Sequence, residues 1–292
     1  MTIRPRRSVL YMPGSNKRAL EKAKTLAADA LIFDLEDAVA PDAKQAAREL
    51  VCAAVAAGGY GKREIVIRVN GSDTPWGRED MQAAMAAHPD AILVPKVSEA
   101  SDVTAISQLI HRSGAADTTK LWVMMETPLA ILNAAQIAAA AGLSESRLSC
   151  FVMGTNDLVK DTRASLAKNR LPALYWLSAC VTAASAHGID VIDGVYNDFK
   201  DLDGFRRECD EGLALGMDGK TLIHPGQIDI CNEVFLPGSA EVEWARKVIA
   251  AFDDPANHGK GVITIDGKMV ELLHAQMARR VVAIAGLISP IE

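Results

Sequence analysis

The sequence predicts an α/β protein, a (β/α)8 TIM barrel with a helical and hairpin extension at its C-terminal end. Three observations predict this fold class. Short apolar runs recur along the chain, and segments with apolar residues at three- and four-residue spacing separate them. The 292 residues also suffice for eight such units. A doubly wound open sheet is the alternative, but the G-x-G-x-x-G fingerprint of many such sheets is absent.

The predicted strands contain few polar residues, as expected for strands that are buried on both faces of a parallel sheet. Their ranges are 8–12, 30–34, 64–69, 91–95, 121–126, 148–153, 190–193 and 219–223. Predicted helices lie between them, for example at 15–28, 42–57 and 99–114.

The pattern changes after "FLPGS", which divides the chain into two predicted segments. Residues 1–236 form the catalytic barrel, and residues 237–292 form a C-terminal lid extension. In this extension we expect a helix over 239–252, a hairpin over "VITIDGKMV" and a last helix over 271–286. Such appendages to a barrel often close over the active site.

Composition and charge exclude several classes of protein. Apolar residues make up 49% of the chain, and the formal net charge of −6 argues against a nucleic-acid-binding surface. The five cysteines form no C-x-x-C pair, which favours reduced thiols over disulfides or a zinc site. No apolar stretch approaches the length of a membrane span or of a signal peptide core. We therefore expect a cytoplasmic protein with no nucleic-acid or membrane partner.

Charged residues stand at the carboxyl ends of the predicted strands, where α/β barrels form their active sites. Glu36 and Asp37 follow the second strand, and Arg68 lies in the third. Glu126 ends the fifth strand and Asp157 follows the sixth. Carboxylates that meet at one rim repel each other unless a cation neutralises them. Because all the candidate ligands are oxygen atoms, we predict Mg²⁺, with Mn²⁺ as the second choice.

Other polar residues at the strand ends have a less specific meaning. Asn156 and His224 lie on the predicted rim, where we expect them to contact substrate, and Asp193 ends the seventh strand. Carboxylates in such positions often only cap the next helix, which is our prediction for Asp42. Arg68 is less ordinary, because a guanidinium in an apolar strand needs a carboxylate partner from the protein or from a substrate.

Several segments, taken in chain order, resemble the citrate lyase β-subunit-like group of the HpcH/HpaI aldolase family. They are "RSVLYMPGSN", "DLEDAVAPDAKQAAR", "IRVN", "VPKV", "ETPLAI", "GTNDL" and "GKTLIHPGQI". No single segment is specific, but the ordered combination is. The resemblance extends from about residue 4 to the last predicted helix.

This resemblance implies a TIM barrel that binds Mg²⁺ and a CoA thioester and performs retro-Claisen chemistry. Glu126 and Asp157 would be the metal ligands. Arg68 would hold the carboxylate and carbonyl oxygens of a 2-oxoacid. Glu36 and Asp37 would bond to metal-bound water and to Arg68.

The resemblance also assigns roles outside the centre of the barrel. Lys17 and Arg18 would meet the phosphates or the pantetheine of CoA. The final proton donor would come from the tail of a neighbouring subunit, which implies a homo-oligomer, either a trimer or a hexamer. Here the tail segment reads "DGKMVELL", so that Glu271 stands where the family usually has Asp.

We therefore predict an enzyme, a Mg²⁺-dependent carbon–carbon lyase that cleaves a 3-hydroxyacyl-CoA thioester into an acyl-CoA and a 2-oxoacid. The substrate would be of the malyl-CoA, methylmalyl-CoA or citramalyl-CoA type. Three alternatives stay open: the citryl-ACP lyase β subunit of a citrate lyase complex, a malyl-CoA thioesterase, and a non-catalytic acyl-CoA-binding protein.

Overall fold

The structure is a computed structural model in which residues 4–115, 118–166 and 169–288 are described. These residues form two compact units. The barrel unit comprises residues 6–234, and the tail unit comprises residues 4–5 and 235–288. No helix within the described ranges has the length and apolar character needed to span a bilayer.

The barrel unit confirms the predicted fold, because its parallel strands β1 to β8 close into a barrel in chain order. Each strand end lies within one residue of its predicted position. The strands are β1 Ser8–Pro13, β2 Ala30–Asp34, β3 Glu64–Arg68, β4 Ala91–Val94, β5 Lys120–Met125, β6 Leu148–Met153, β7 Asp190–Asp193 and β8 Gly219–Leu222.

Helices follow the strands and form the outer layer of the barrel unit. They are α1 Lys17–Ala23, α2 Lys44–Ala57, α3 Gly77–Ala87, α4 Ala100–Arg112, α5 Pro128–Leu132, α6 Ala134–Ala139, α7 Thr155–Thr162, α8 Leu174–His187, α9 Leu202–Leu215 and α10 Ile228–Val234. The prediction that Asp42 caps the second of these helices is wrong. Asp42 lies inside a single 3₁₀ turn, Pro41–Ala43, and neither this turn nor α2 has a side-chain cap.

Side chains alternate between the barrel interior and the helix layer, because successive residues of a strand point to opposite faces. The interior cluster comprises Val9, Ala30, Ile32, Val66, Ala91, Leu93, Trp122, Met124, Cys150, Val152 and Ile192. Two residues further along β2 and β3, the same inward positions hold Asp34 and Arg68, which are register partners. The strands therefore carry charged side chains inward just above an apolar core.

The tail unit contains the predicted elements. They are α11 Ser239–Asp253, the antiparallel hairpin of β9 Val262–Ile265 and β10 Lys268–Glu271, and α12 Leu272–Ile288. The hairpin turns at Asp266 and Gly267, both with positive φ, a conformation that Asp and Gly tolerate better than most residues. Its own small apolar core comprises Ala245, Val248, Phe252, Ile263, Ile265, Val270, Ala275 and Ala278.

Candidate active site

A cavity of about 300 Å³ opens at the carboxyl ends of the barrel strands. Tyr11 and Met124, which contact the apolar interior cluster or belong to it, form its floor. The remaining lining residues come from the strand ends and the loops after them: Asp34, Asp37, Ala38, Arg68, Glu126, Met153, Gly154, Thr155, Asn156, Asp157, Val195, Asn197, Thr221 and Ile223. The lining therefore combines charged side chains with neutral polar and apolar ones.

Arg68 is the buried cation of this site, with only 6% of its surface exposed. Its Nε and Nη2 donate to the two oxygens of Asp34, both at 2.7 Å, in the bidentate geometry that suits guanidinium and carboxylate groups. Its Nη1 lies 2.8 Å from Glu36 Oε2 and 3.3 Å from Asp37 Oδ2. Burial would lower the pKa of Arg68, but Tyr11, Asp34 and Glu36 together raise it well above its usual value. Arg68 is therefore charged at every working pH.

Asp34, the last residue of β2, is the buried partner of Arg68 and was not identified from the sequence as a site residue. Its carboxylate is buried, and it also accepts the backbone N–H groups of Glu36 at 2.8 Å and Ala38 at 3.0 Å. One side chain thus fixes both the guanidinium and the start of the loop after β2. This loop then places Glu36 and Asp37 beside Arg68.

The carboxyl group of Glu36 lies in an unusual electrostatic environment. Its Oε2 is buried and has no hydrogen bond among the described residues, although it lies near Arg68 Nη1; the pair has ionic contact without hydrogen-bond geometry. Burial raises the pKa of Glu36 to about 7, while Arg68 opposes this shift and Asp37 and Glu126 add to it. An acceptor oxygen is therefore left available beside the cavity.

Glu126 and Asp157 form the second carboxylate pair of the site. Glu126 is 2% exposed, and burial together with the Asp157 charge raises its pKa. Gly154 makes room for it, because a Cβ at that position would lie 2.3 Å from Glu126 Cβ and 2.9 Å from Oε2. The close approach of strand β5 to the start of helix α7 therefore requires glycine here.

Lys96 connects the two carboxylates and was not predicted as a site residue. Its backbone N–H donates to Glu126 Oε1 at 2.7 Å, and its Nζ lies 3.2 Å from Asp157 Oδ1. Lys96 has a φ of 54°, which is uncommon for a residue with a side chain and often marks a functional position. The left-handed backbone turns the N–H toward Glu126.

The carboxylate oxygens of Glu126 and Asp157 could hold a hard divalent cation. No group of three or more His, Cys, Asp or Glu residues with metal-site geometry occurs in the described part of the chain. Glu126 and Asp157 can therefore supply two ligands, and water or a substrate must supply the others, as is usual for Mg²⁺. Their mutual repulsion and the orphaned oxygen of Glu36 are consistent with a positive charge at this place.

The other predicted site residues lie in different surroundings. Asn156 lines the cavity and exchanges two hydrogen bonds with Asn197, at 2.8 and 3.3 Å. His224 does not line it; its Nδ1 accepts the Gly226 N–H at 3.0 Å, and its ring stacks on Phe199. The structure thus places His224 in a capped turn at the rim.

Lys17 and Arg18 lie in the first turn of α1, are exposed and do not line the cavity. Glu271 ends β10 in the tail unit, where it is half-buried and its backbone N–H donates to His274 Nδ1 at 2.8 Å. The roles predicted for these three residues stay predictions.

Asp193 ends β7 but does not face the cavity, so the expectation that this strand end contributes a polar residue to the rim is wrong. Its carboxylate is fully buried and binds Arg170 at 2.7 and 2.8 Å and Lys220 at 3.1 Å. These two cations keep the pKa of Asp193 low although burial opposes them. Ile192 faces the barrel interior, so the next residue points to the helix layer.

Comparison with known proteins identifies the family of the chain. The model of the HpcH/HpaI aldolase/citrate lyase family matches residues 7–225, which span all eight barrel strands and every predicted site residue except Glu271. The chain belongs to the HpcH/HpaI aldolase/citrate lyase family. Members of this family are lyases, and the prediction that the chain is an enzyme is confirmed.

Individual relatives of this HpcH/HpaI family member match over nearly its full length. A (3S)-malyl-CoA thioesterase of Cereibacter sphaeroides is 52% identical over 98% of this chain and 96% of its own. The citrate lyase subunit beta of Escherichia coli is 36% identical over 97% of this chain and 94% of its own. Among solved structures, CitE of Mycobacterium tuberculosis in complex with magnesium, acetoacetate and coenzyme A has a TM-score of 0.73 at 28% identity, covering 96% of this chain and 97% of that chain.

Proposed function

We propose that this protein is a Mg²⁺-dependent enzyme that acts on a malyl-CoA-type thioester. The observation that carries the proposal is the pairing of groups in one cavity: the fixed Arg68 guanidinium and the Glu126 and Asp157 carboxylates. A guanidinium suits the carboxylate of an acidic acyl group. Two carboxylates without His or Cys suit a hard cation. The matching relatives that are named for malyl-CoA and for complexes with magnesium support this substrate and this ion.

Glu126 and Asp157 would hold the cation, and Lys96 fixes Glu126 through its backbone N–H. A bound Mg²⁺ supplies Lewis-acid polarisation of substrate oxygens. Arg68 would bind the substrate carboxylate with the N–H groups that Asp34 leaves free. Because Asp34 is buried and bidentate, the guanidinium is oriented before the substrate arrives, which lowers the cost of binding.

Thioester hydrolysis is the reaction that we propose first, because relatives at 50–52% identity are named (3S)-malyl-CoA thioesterase. In this reaction water attacks the thioester carbonyl carbon, the C–S bond breaks, and the products are malate and CoA. We propose that Glu271 of a neighbouring subunit takes the proton of that water. Glutamate in place of the family's usual aspartate would position this carboxylate differently.

Carbon–carbon cleavage is the second candidate, because the barrel residues Arg68, Glu36, Asp37, Glu126 and Asp157 are those that the family resemblance assigns to the lyase reaction. Malyl-CoA would then give glyoxylate and acetyl-CoA. A role as a citrate lyase β subunit is a third candidate, supported by relatives at 34–36% identity that carry that name. It would require a citryl thioester of an acyl carrier protein.

The deciding experiment is to incubate the protein with Mg²⁺ and (3S)-malyl-CoA and to separate the products by chromatography. Malate with free CoA would support the thioesterase, and glyoxylate with acetyl-CoA would support the lyase. Glu126→Gln, which keeps the shape of the side chain, should abolish either reaction. Failure of malyl-, methylmalyl-, citramalyl- and citryl-CoA to react under these conditions would contradict the proposed substrate class.

The cation site has a test of its own. Mn²⁺ is expected to bind the parent protein and to bind the Glu126→Gln and Asp157→Asn variants at least tenfold more weakly, as measured by electron paramagnetic resonance of free Mn²⁺. Equal affinity in all three proteins would place the ion elsewhere.

We also propose a homo-oligomer, a trimer or hexamer, in which Glu271 of one subunit serves the cavity of the next. Glu126→Gln and Glu271→Gln subunits should each be inactive alone and should regain activity when co-expressed with different tags and purified as mixed oligomers. Mixed oligomers without activity would contradict this arrangement.

A further inference from the structure

Tyr11 occupies a place in the cavity that the proposed roles do not use. It follows Val9 at the next inward position of β1, packs on the apolar interior cluster and lines the floor of the cavity. The Arg68 guanidinium carbon lies 4.8 Å from the centre of its ring, in a cation–π contact. The ring thus supports Arg68 from below.

The hydroxyl of Tyr11 has a poor partner. Within the described residues, its one hydrogen bond goes to Met124 Sδ, at 3.6 Å, and a thioether sulfur is only a weak acceptor. A buried tyrosine hydroxyl ordinarily finds an oxygen or nitrogen partner. This donor is therefore left with capacity for an acceptor that the protein does not supply, at the wall of a cavity that can admit one.

The charges around the Tyr11 hydroxyl are mixed, since Arg68 and the carboxylates of Asp34, Glu126 and Glu36 all act on it. Burial raises the pKa of Tyr11, so the phenol keeps its proton at neutral and alkaline pH. Beside it, Arg68 supplies a positive charge that a ligand carboxylate would approach. Of the five N–H groups of the Arg68 guanidinium, two donate to Asp34 and one donates to Asp37. Two N–H groups are therefore left for a ligand in the cavity that Arg68 and Tyr11 both line.

We infer that Tyr11 is a substrate-binding residue whose hydroxyl donates a hydrogen bond to the carboxylate oxygen that Arg68 attracts. The inference rests on the proposed function, because it assigns this oxygen to the 2-oxoacid or malyl part of the substrate. Tyr11 supplies a donor and Arg68 supplies the charge. Tyr11 on the cavity floor and Arg68 above it thereby fix the orientation of one carboxylate.

Tyr11→Phe tests this inference, because it removes only the hydroxyl and retains the ring over which Arg68 lies. Tyr60→Phe is the matched control, since the Tyr60 hydroxyl is buried, has no hydrogen-bond partner among the described residues and does not line the cavity. Both variants should keep the melting temperature and the Mn²⁺ affinity of the parent. A bond from a neutral donor to a charged acceptor is typically worth a roughly 10- to 100-fold change in affinity.

Glyoxylate and pyruvate, titrated calorimetrically into the Mg²⁺-loaded protein, are the probes, together with KM for malyl-CoA. We expect Tyr11→Phe to weaken binding of these acids and to raise KM by about 10- to 100-fold, with Tyr60→Phe unchanged. If the parent binds or turns over these compounds and Tyr11→Phe does so within twofold, the inference is wrong and the proposed function stands. Lower Mn²⁺ affinity or a lower melting temperature in Tyr11→Phe alone would assign Tyr11 a structural role. A parent that binds neither acid and does not use malyl-CoA would overturn both.

Discussion

Asp34→Asn perturbs the buried charge pair on which the cavity depends. In the folded protein, Asp34 is 1% exposed, Arg68 is 6% exposed, and both guanidinium–carboxylate distances are 2.7 Å. Asparagine keeps the shape, but its amide group faces the guanidinium with a second donor. Removing one partner of such a pair typically costs about 3–5 kcal/mol. Glu36 stays 2.8 Å from Arg68 and still balances part of its charge, so we expect Asp34→Asn to lower the free energy of unfolding by about 3 kcal/mol, the lower end of this range.

The assay is urea unfolding followed by circular dichroism, in EDTA and at one protein concentration, because binding of metal or of other subunits would alter the apparent stability. Asp253→Asn is the control, since its pair with Arg279 is more than half exposed and should contribute less than about 1 kcal/mol. In an Arg68→Met background, Asp34→Asn should be neutral or stabilising, because it then removes an unpaired buried carboxylate. A cost below about 1 kcal/mol, or the same cost in both backgrounds, would refute this reasoning.

Three further predictions concern the carboxylates and the residues that hold them. Gly154→Ala should weaken Mn²⁺ binding at least tenfold in a resonance titration, since the new Cβ would collide with Glu126, whereas Gly238→Ala, which meets nothing within 4 Å, should have no effect. Lys96→Met should tighten Mn²⁺ binding several-fold in the same titration, because it removes the ammonium group that competes for the same carboxylate; weaker binding would contradict this. The pKa of Glu36 is raised from 4.5 to about 7, so the metal-free folded state holds the proton of the Glu36 carboxyl more tightly than the unfolded state does. The stability that this protonated carboxyl contributes is therefore fully present below pH 4.5 and is lost as the pH rises through 7. As the pH rises from 4.5 to 8, the free energy of unfolding of Glu36→Gln in urea should increase relative to that of the parent by up to about 3 kcal/mol. A difference between the two proteins that does not depend on pH would contradict the raised pKa of Glu36.

The barrel was predictable because its strands are buried on both faces, which leaves continuous apolar runs with clear ends. The same ends located much of the candidate site, since the carboxyl ends of parallel strands meet at one mouth. Glu36, Asp37, Arg68, Glu126 and Asp157 were found in this way, and the structure places all five at or beside one cavity. Their functional roles depend on chemistry that strand ends alone do not specify.

Lys96 and Asp42 show what the sequence does not determine. The left-handed backbone of Lys96 arises from packing at the end of β4, and a lysine has no intrinsic preference for it. Asp42 precedes an apolar periodic segment, as a capping residue would, but Pro41 starts a 3₁₀ turn one residue earlier. In each case a local preference was overridden by a turn whose geometry depends on neighbouring elements.

Asp34, Asp193 and Tyr11 could have been assigned by a rule that needs only strand alternation. Once Ile32, Ile192 and Val9 are taken as inward residues, Asp34 and Tyr11, two positions further on, must also point inward, whereas Asp193, one position on, must point outward. The identity of a residue at a strand end is therefore not enough to assign its role. Its place in the inward–outward alternation of the strand, here called its parity, decides whether its side chain faces the cavity or the helix layer. Parity separates the Arg68 site from the buried Asp193–Lys220 pair, although both place a carboxylate at the last residue of a strand. The same alternation directs Tyr11, in the middle of β1, to the barrel interior, where its ring lies against the Arg68 guanidinium.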